Sequence, residues 1–71
     1  MPNSVYKIIE LVGTSPESWE LAAKGAVERA GQSLRDLRVA EVIEQDLVVE
    51  DGKVKAYRSR LKVSFKYEGG G

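Results

Sequence analysis

Residues 38–67 read RVAEVIEQDLVVE-DG-KVKAYRSRLKVSFKY, two long runs of alternating polar and apolar residues joined by Asp51-Gly52. Asp-Gly between such runs is a strong hairpin signal, because a type I′ turn needs positive φ at both central residues. The stretch predicts strands over 38–50 and 53–67. A two-residue turn also predicts a register, with Glu50 opposite Lys53 and each pair outward following in step. One face then carries Arg38, Ala40, Val42, Glu44, Asp46 and Val48 against Phe65, Val63, Leu61, Ser59, Tyr57 and Lys55. Its centre, Ala40, Val42, Leu61, Val63 and Phe65, is apolar. The other face sets Val39, Glu41, Ile43, Gln45, Leu47 and Val49 against Ser64, Lys62, Arg60, Arg58, Ala56 and Val54.

Upstream, residues 5–12, VYKIIELV, form a β-branched and aromatic run closed by Gly13-Thr14-Ser15-Pro16. This predicts a strand followed by a helix start, with Ser15 as N-cap and Pro16 at the first helical position. The helix is expected over about 16–30 and to stop at Gly31. Trp19, Ala22, Ala23, Ala26, Val27 and Ala30 recur three and four apart on one stripe, and small alanines let a helix lie close to what it covers. Residues 31–37 connect it to the hairpin through Leu34 and Leu37. The fold class is α+β: β-α-β-β, a three-stranded antiparallel sheet packed on one helix.

One helix covers one face of such a sheet. The second hairpin face holds Val39, Leu47 and Val49 beside Glu41–Lys62, Gln45–Arg58 and an Arg60 next to Ile43. Two arginines do not suit a core, and so many aliphatics do not suit a fully wet surface. The pattern fits a subunit interface or a polar-lined cavity; it also fits a solvated face with ordinary cross-strand pairs.

The whole chain has 71 residues, with 11 basic and 11 acidic side chains, no Cys and no His. It reads as one domain over 1–67 with a flexible Gly-rich tail at 68–71. A chain this short buries only roughly 60% of its unfolded surface, so help from oligomerisation is expected. Lacking Cys and His, it lacks disulfides, the usual zinc and iron–sulfur ligands, and most acid–base and nucleophile–His schemes. Zero formal net charge removes the bulk attraction to nucleic acid or anionic membrane. No apolar run approaches the ~20 residues of a membrane span, and residues 1–12 do not look like a signal peptide. A cytoplasmic, non-enzymatic protein is the expectation.

The sites on offer are few. Trp19, on the apolar stripe, reads as a core anchor rather than a stacking platform. The Gly13-Thr14-Ser15 turn lacks the glycines and Lys of a phosphate loop. The acids Glu41, Glu44, Asp46, Glu50 and Asp51 offer oxygen ligands for a hard cation, but they alternate between faces, so an ion site needs neighbouring subunits or a loop acid such as Glu17.

The segments VYKIIELVGTS, SLRDLRVAEV and LKVSFKYEG resemble the dodecin family over essentially the whole chain. The resemblance implies a hollow homododecamer that binds and stores flavins. In its flavin-binding members a Trp stacks on the isoalloxazine ring and a Gln on the following strand holds the ring's polar edge. Here the Trp position carries Val39 and the Gln position Arg58, both on the mixed face read above. The resemblance therefore implies a ligand pocket at Val39, Glu41, Gln45, Arg58 and Arg60. Val39 cannot stack on a ring. With MPNSVYKIIELVGTSPESWE and RVAEVIEQD, the chain is more similar to the flavin-free branch called calcium dodecin. That implies calcium as the bound species, with Glu17 at an acidic position near which dodecins bind hydrated cations. A flavin (riboflavin or FMN) binder with an altered pocket, and a purely structural protein-interaction module, are the alternatives.

Overall fold

A computed structural model describes residues 3–67; the tail expected at 68–71 lies outside them. The elements are β1 (Tyr6–Ser15), α1 (Trp19–Gly31), β2 (Leu37–Glu50) and β3 (Lys53–Lys66). Their sheet has the order β1-β3-β2 with both pairings antiparallel. The β-α-β-β order and the sheet–helix packing are as the sequence predicts. Asp51 and Gly52 have φ of 53° and 73°, the positive pair that a type I′ turn requires.

The first strand is longer than expected and the helix starts later. β1 runs on through Gly13, Thr14 and Ser15 because Gly13 has no side chain. A Cβ there would overlap the Ala22 carbonyl oxygen, so the strand slides directly beneath the helix backbone. Ser15 is consequently not the N-cap. Its Oγ accepts the N–H groups of Glu17 (3.0 Å) and Ser18 (3.4 Å) and closes the turn around Pro16. The cap is Ser18, extended at φ −166° and ψ 161°, whose Oγ accepts the Leu21 N–H at 3.1 Å. Glu20 and Arg29 complement the two ends of the helix dipole. Gly31 is the last helical residue, and the cap that follows, Gln32, stays right-handed at φ −72°.

Ser18→Ala is expected to cost about 1 kcal/mol through the orphaned Leu21 amide. For a domain of this size that is a fall of roughly 4–8 °C in melting temperature, read by circular dichroism at fixed protein concentration.

The helix lies across β1 and β3 and barely reaches β2. Leu61 and Val63 of β3 (1% and 0% exposed) and Ala22 of α1 form the buried apolar core. Ala40 and Val42, expected in the same block, are exposed, because the outer position of β2 puts them beyond the edge of a slender Ala-faced helix. After Leu37, every residue of β2 is exposed.

The molecule extends 54 × 20 × 17 Å, with a radius of gyration of 14.8 Å. A compact chain of 71 residues would have about 11 Å. The excess is the hairpin, which projects past the helix with Leu47, Val48, Val49 and Val54 uncovered. No helix among the described residues is long and apolar enough to cross a membrane.

Candidate ligand face and cation position

The sheet face away from α1 has cations along its middle strand, three acids along β2 and a single acid, Glu10, on β1. Residues opposite one another in an antiparallel ladder share a face. On β3 this face carries Arg58, Arg60, Lys62 and Ser64; on β1 it carries Thr14, Val12, Glu10 and Ile8 opposite them. On β2 the corresponding partners are Asp46, Glu44, Glu41 and Val39.

Arg58 meets Asp46 in a two-pronged pair, Nε to Oδ1 and a terminal nitrogen to Oδ2, both 2.7 Å. Arg60 Nε lies 3.1 Å from a Glu44 oxygen, and a terminal nitrogen of the same guanidinium lies 4.0 Å from Glu10. Arg60 thus ties all three strands together. The Arg58 hydrogen bonds hold the Asp46 carboxyl below its ordinary range, and the same bonds raise Arg58. Both side chains remain partly in solvent, where isolated ion pairs contribute little to stability. What a two-pronged pair supplies is fixed orientation.

Of the residues singled out in the sequence, Val39, Glu41, Arg58 and Arg60 share this face. Val39 is 61% exposed, and its carbonyl accepts the Ser64 hydroxyl at 3.3 Å. Glu41 stands opposite Lys62, as expected. Gln45 does not stand against Arg58. It lies opposite Ser59, on the helix side, and Asp46 takes its place. Likewise Glu44, rather than Ile43, faces Arg60.

The cause is a pair of bulges. The register set by the turn holds for Glu50–Lys53 and Val49–Val54. An extra residue on β3, Lys55, then displaces it by one, so that Val48 faces Ala56. An extra residue on β2, Ile43, restores it at Val42–Leu61. Between them, 44–48 present their other side chains to each face. The signal for this was in the sequence: acids two apart (Glu44, Asp46) and arginines two apart (Arg58, Arg60) match only after a shift of one.

On the helix side, Trp19 links α1 to the hairpin. Its Nε1 donates to the Asp46 carbonyl at 3.0 Å, and its ring meets Tyr57 edge-on at 5.2 Å. Its own carbonyl accepts the hydroxyl of the fully buried Ser59 at 3.0 Å. It is a structural anchor, half-buried.

Glu17 is exposed in the β1–α1 turn, outside the sheet face. Calcium takes six to eight oxygens, and among the described residues no three acidic side chains converge as a metal-ligand group. Among the described residues, the carboxylates of one chain do not converge into a calcium site.

The family model for dodecin matches residues 5–68. The chain belongs to the dodecin family. This dodecin is 57% identical over 63 residues to calcium dodecin of Mycobacterium tuberculosis, covering 89% of each chain. The crystal structure of a calcium-chelating calcium dodecin from that organism, described as having a novel calcium-binding site, superposes with a TM-score of 0.82 at 55% identity. It covers 96% of this chain and 97% of the other. The structure of dodecin from Streptomyces coelicolor gives a TM-score of 0.89 at 40% identity, over 97% and 99%.

Proposed function

We propose that this dodecin is a non-catalytic, cytoplasmic homododecamer that binds and stores a small ligand, and that the ligand is calcium rather than a flavin. The observation that carries the choice is Val39. It is exposed on the charged face, and its cross-strand neighbours are Ser64 and, beyond that, Ile8, so none of the three has a ring to stack on an isoalloxazine. Identity to a relative named calcium dodecin points the same way.

Assembly is supported by the shortage of core. Ile8, Val12, Val39, Val48, Val49 and Val54 are all large, apolar and exposed in one chain, and such surface is normally covered by a partner. An incomplete cation site has the same remedy, since carboxylates from several copies, Glu17 among them, can supply together the oxygens that one chain lacks. The ligand-facing set would be Val39, Glu41, Arg58 and Arg60, with Gln45 reaching it only from the opposite side of β2.

Native mass spectrometry with a calcium titration tests the reading. The expected result is a colourless species of twelve times the 7.8 kDa chain whose melting temperature rises with Ca²⁺ and falls back on chelation. At a hundredfold excess over the dissociation constant the gain is about 2.7 kcal/mol, and Glu17→Gln diminishes it. Quenching of riboflavin fluorescence at low micromolar protein would replace calcium by flavin. A dodecamer indifferent to both would leave an interaction module, and a monomer would remove the assembly itself.

A further inference from the structure

The five residues 44–48 pair one residue out of the register that the turn sets. The hairpin is in the turn's own register at 49–50 with 53–54 and again at 39–42 with 61–64; the stretch between is displaced by one residue, as is Leu37 at the far end, opposite Phe65. It enters the displacement through Lys55 and leaves it through Ile43, so a straight form needs only these two residues to rejoin the ladder as 44–48 turn over. The straight form would remove both bulges, and each bulge leaves a residue unpaired in the ladder. Something must therefore favour the displaced form.

The side chains show what. In the displaced register Asp46 and Glu44 lie on Arg58 and Arg60 at 2.7 and 3.1 Å, and Leu47 lies opposite Tyr57 on the helix side. In the straight register Gln45 would face Arg58 and Ile43 would face Arg60. Both carboxylates would turn to the helix side, Glu44 opposite fully buried Ser59 and Asp46 opposite Tyr57 beside Trp19. In the straight register each carboxylate would stand on the opposite face of the strand from its guanidinium, and the two-pronged Arg58–Asp46 pair and the Arg60–Glu44 contact would both be lost.

We propose that Glu44 and Asp46 are the positioning residues of the charged face, selecting the displaced register and so determining that Arg58 and Arg60 meet the chain's own carboxylates. Without their charge, 44–48 return to the straight register. The two arginines then face Gln45 and Ile43, and the face turns from charge-paired to cationic. The selection is independent of whether the bound species is calcium.

The chain has no cysteine, so engineered pairs report the register directly. Val48→Cys with Ala56→Cys places two thiols opposite each other in the displaced register, and Leu47→Cys with Ala56→Cys does so in the straight one. Under mild oxidation of the assembled protein, with disulfides within one chain scored by denaturing non-reducing electrophoresis, the first pair is expected to close faster. Adding Glu44→Gln and Asp46→Asn should change the ratio of the two rates by about tenfold towards the second pair, the scale that two exposed ion pairs can carry. The exchanged acids Glu44→Asp and Asp46→Glu should keep the original preference, with far-ultraviolet circular dichroism reporting that each variant is folded. An unchanged ratio in the amide variant, or an equal loss of preference in the exchanged-acid variant, overturns the proposal.

Discussion

Gly13→Ala is expected to destabilise the protein by about 3 kcal/mol or more, a fall of roughly 12–24 °C in melting temperature for a domain of this size. The cause is contact, not backbone conformation. The new methyl would overlap the Ala22 carbonyl oxygen and lie 2.9 Å from its carbon and 3.0 Å from the Ala26 Cβ. Two of those three atoms are helix backbone and cannot rotate aside. Relief requires α1 to lift from β1, and lifting it uncovers Leu61 and Val63, the two strand residues on which the small core depends. Gly25→Ala is the internal control. A Cβ at Gly25 meets nothing within 4 Å, and Ala is favoured over Gly in a helix by about 0.5–1 kcal/mol, so this variant should melt slightly higher. If both variants melt with the parent, the close approach of β1 to α1 is not a feature of the protein in solution.

Gly13 also shows where the sequence was legible and where it was not. The turn at Asp51-Gly52 and the Ala-rich stripe state their geometry locally, one through positive φ and the other through period, and both stand as read. Gly13-Thr14-Ser15-Pro16 looks like punctuation under the same local rules. Its actual use is tertiary, since the glycine admits a helix backbone that no neighbouring residue announces. The N-cap moved from Ser15 to Ser18 for the same reason: two serines three apart both satisfy the local pattern, and only the strand's extension under α1 selects between them.

The charged face divides along a similar line. Val39, Glu41, Arg58 and Arg60 follow from the turn register and share a face as expected. Gln45 does not, because a ruler with period two has no provision for an extra residue on each strand. Charge matching overrode the ruler there. The exposed placement of Ala40 and Val42 was illegible for a different reason. Hydropathy tells which residues need cover, not how wide the covering element is, and a helix lined with alanine over three strands leaves the outer one bare.

That narrow cover gives Trp19 its weight. α1 meets β2 far less than it meets β1 and β3; beside Leu37, which lies near Gly31 at the helix C-terminus, its hold on β2 is Trp19 at the first turn, through the Nε1 bond to the Asp46 carbonyl. Trp19→Ala should therefore do two separable things. It should cost about 3 kcal/mol, the lower end for a truncated Trp because the ring is only half-buried, and lower the melting temperature accordingly. It should also speed amide hydrogen exchange in 44–48, whose outer edge loses its hold on the helix, while 61–64, paired on both sides by β1 and β2, keep their protection. Trp19→Phe separates the contributions. It retains a ring to meet Tyr57 and loses the indole donor, so about 1 kcal/mol is expected, with the exchange effect at 44–48 largely preserved. Uniform acceleration across the sheet in Trp19→Ala would mean that the ring acts through the common core. Acceleration confined to 44–48 would make the first turn of the helix the clamp on the bulged segment, so that a change at Trp19 on one side of the sheet reaches Arg58 on the other through the backbone and carboxylate of Asp46.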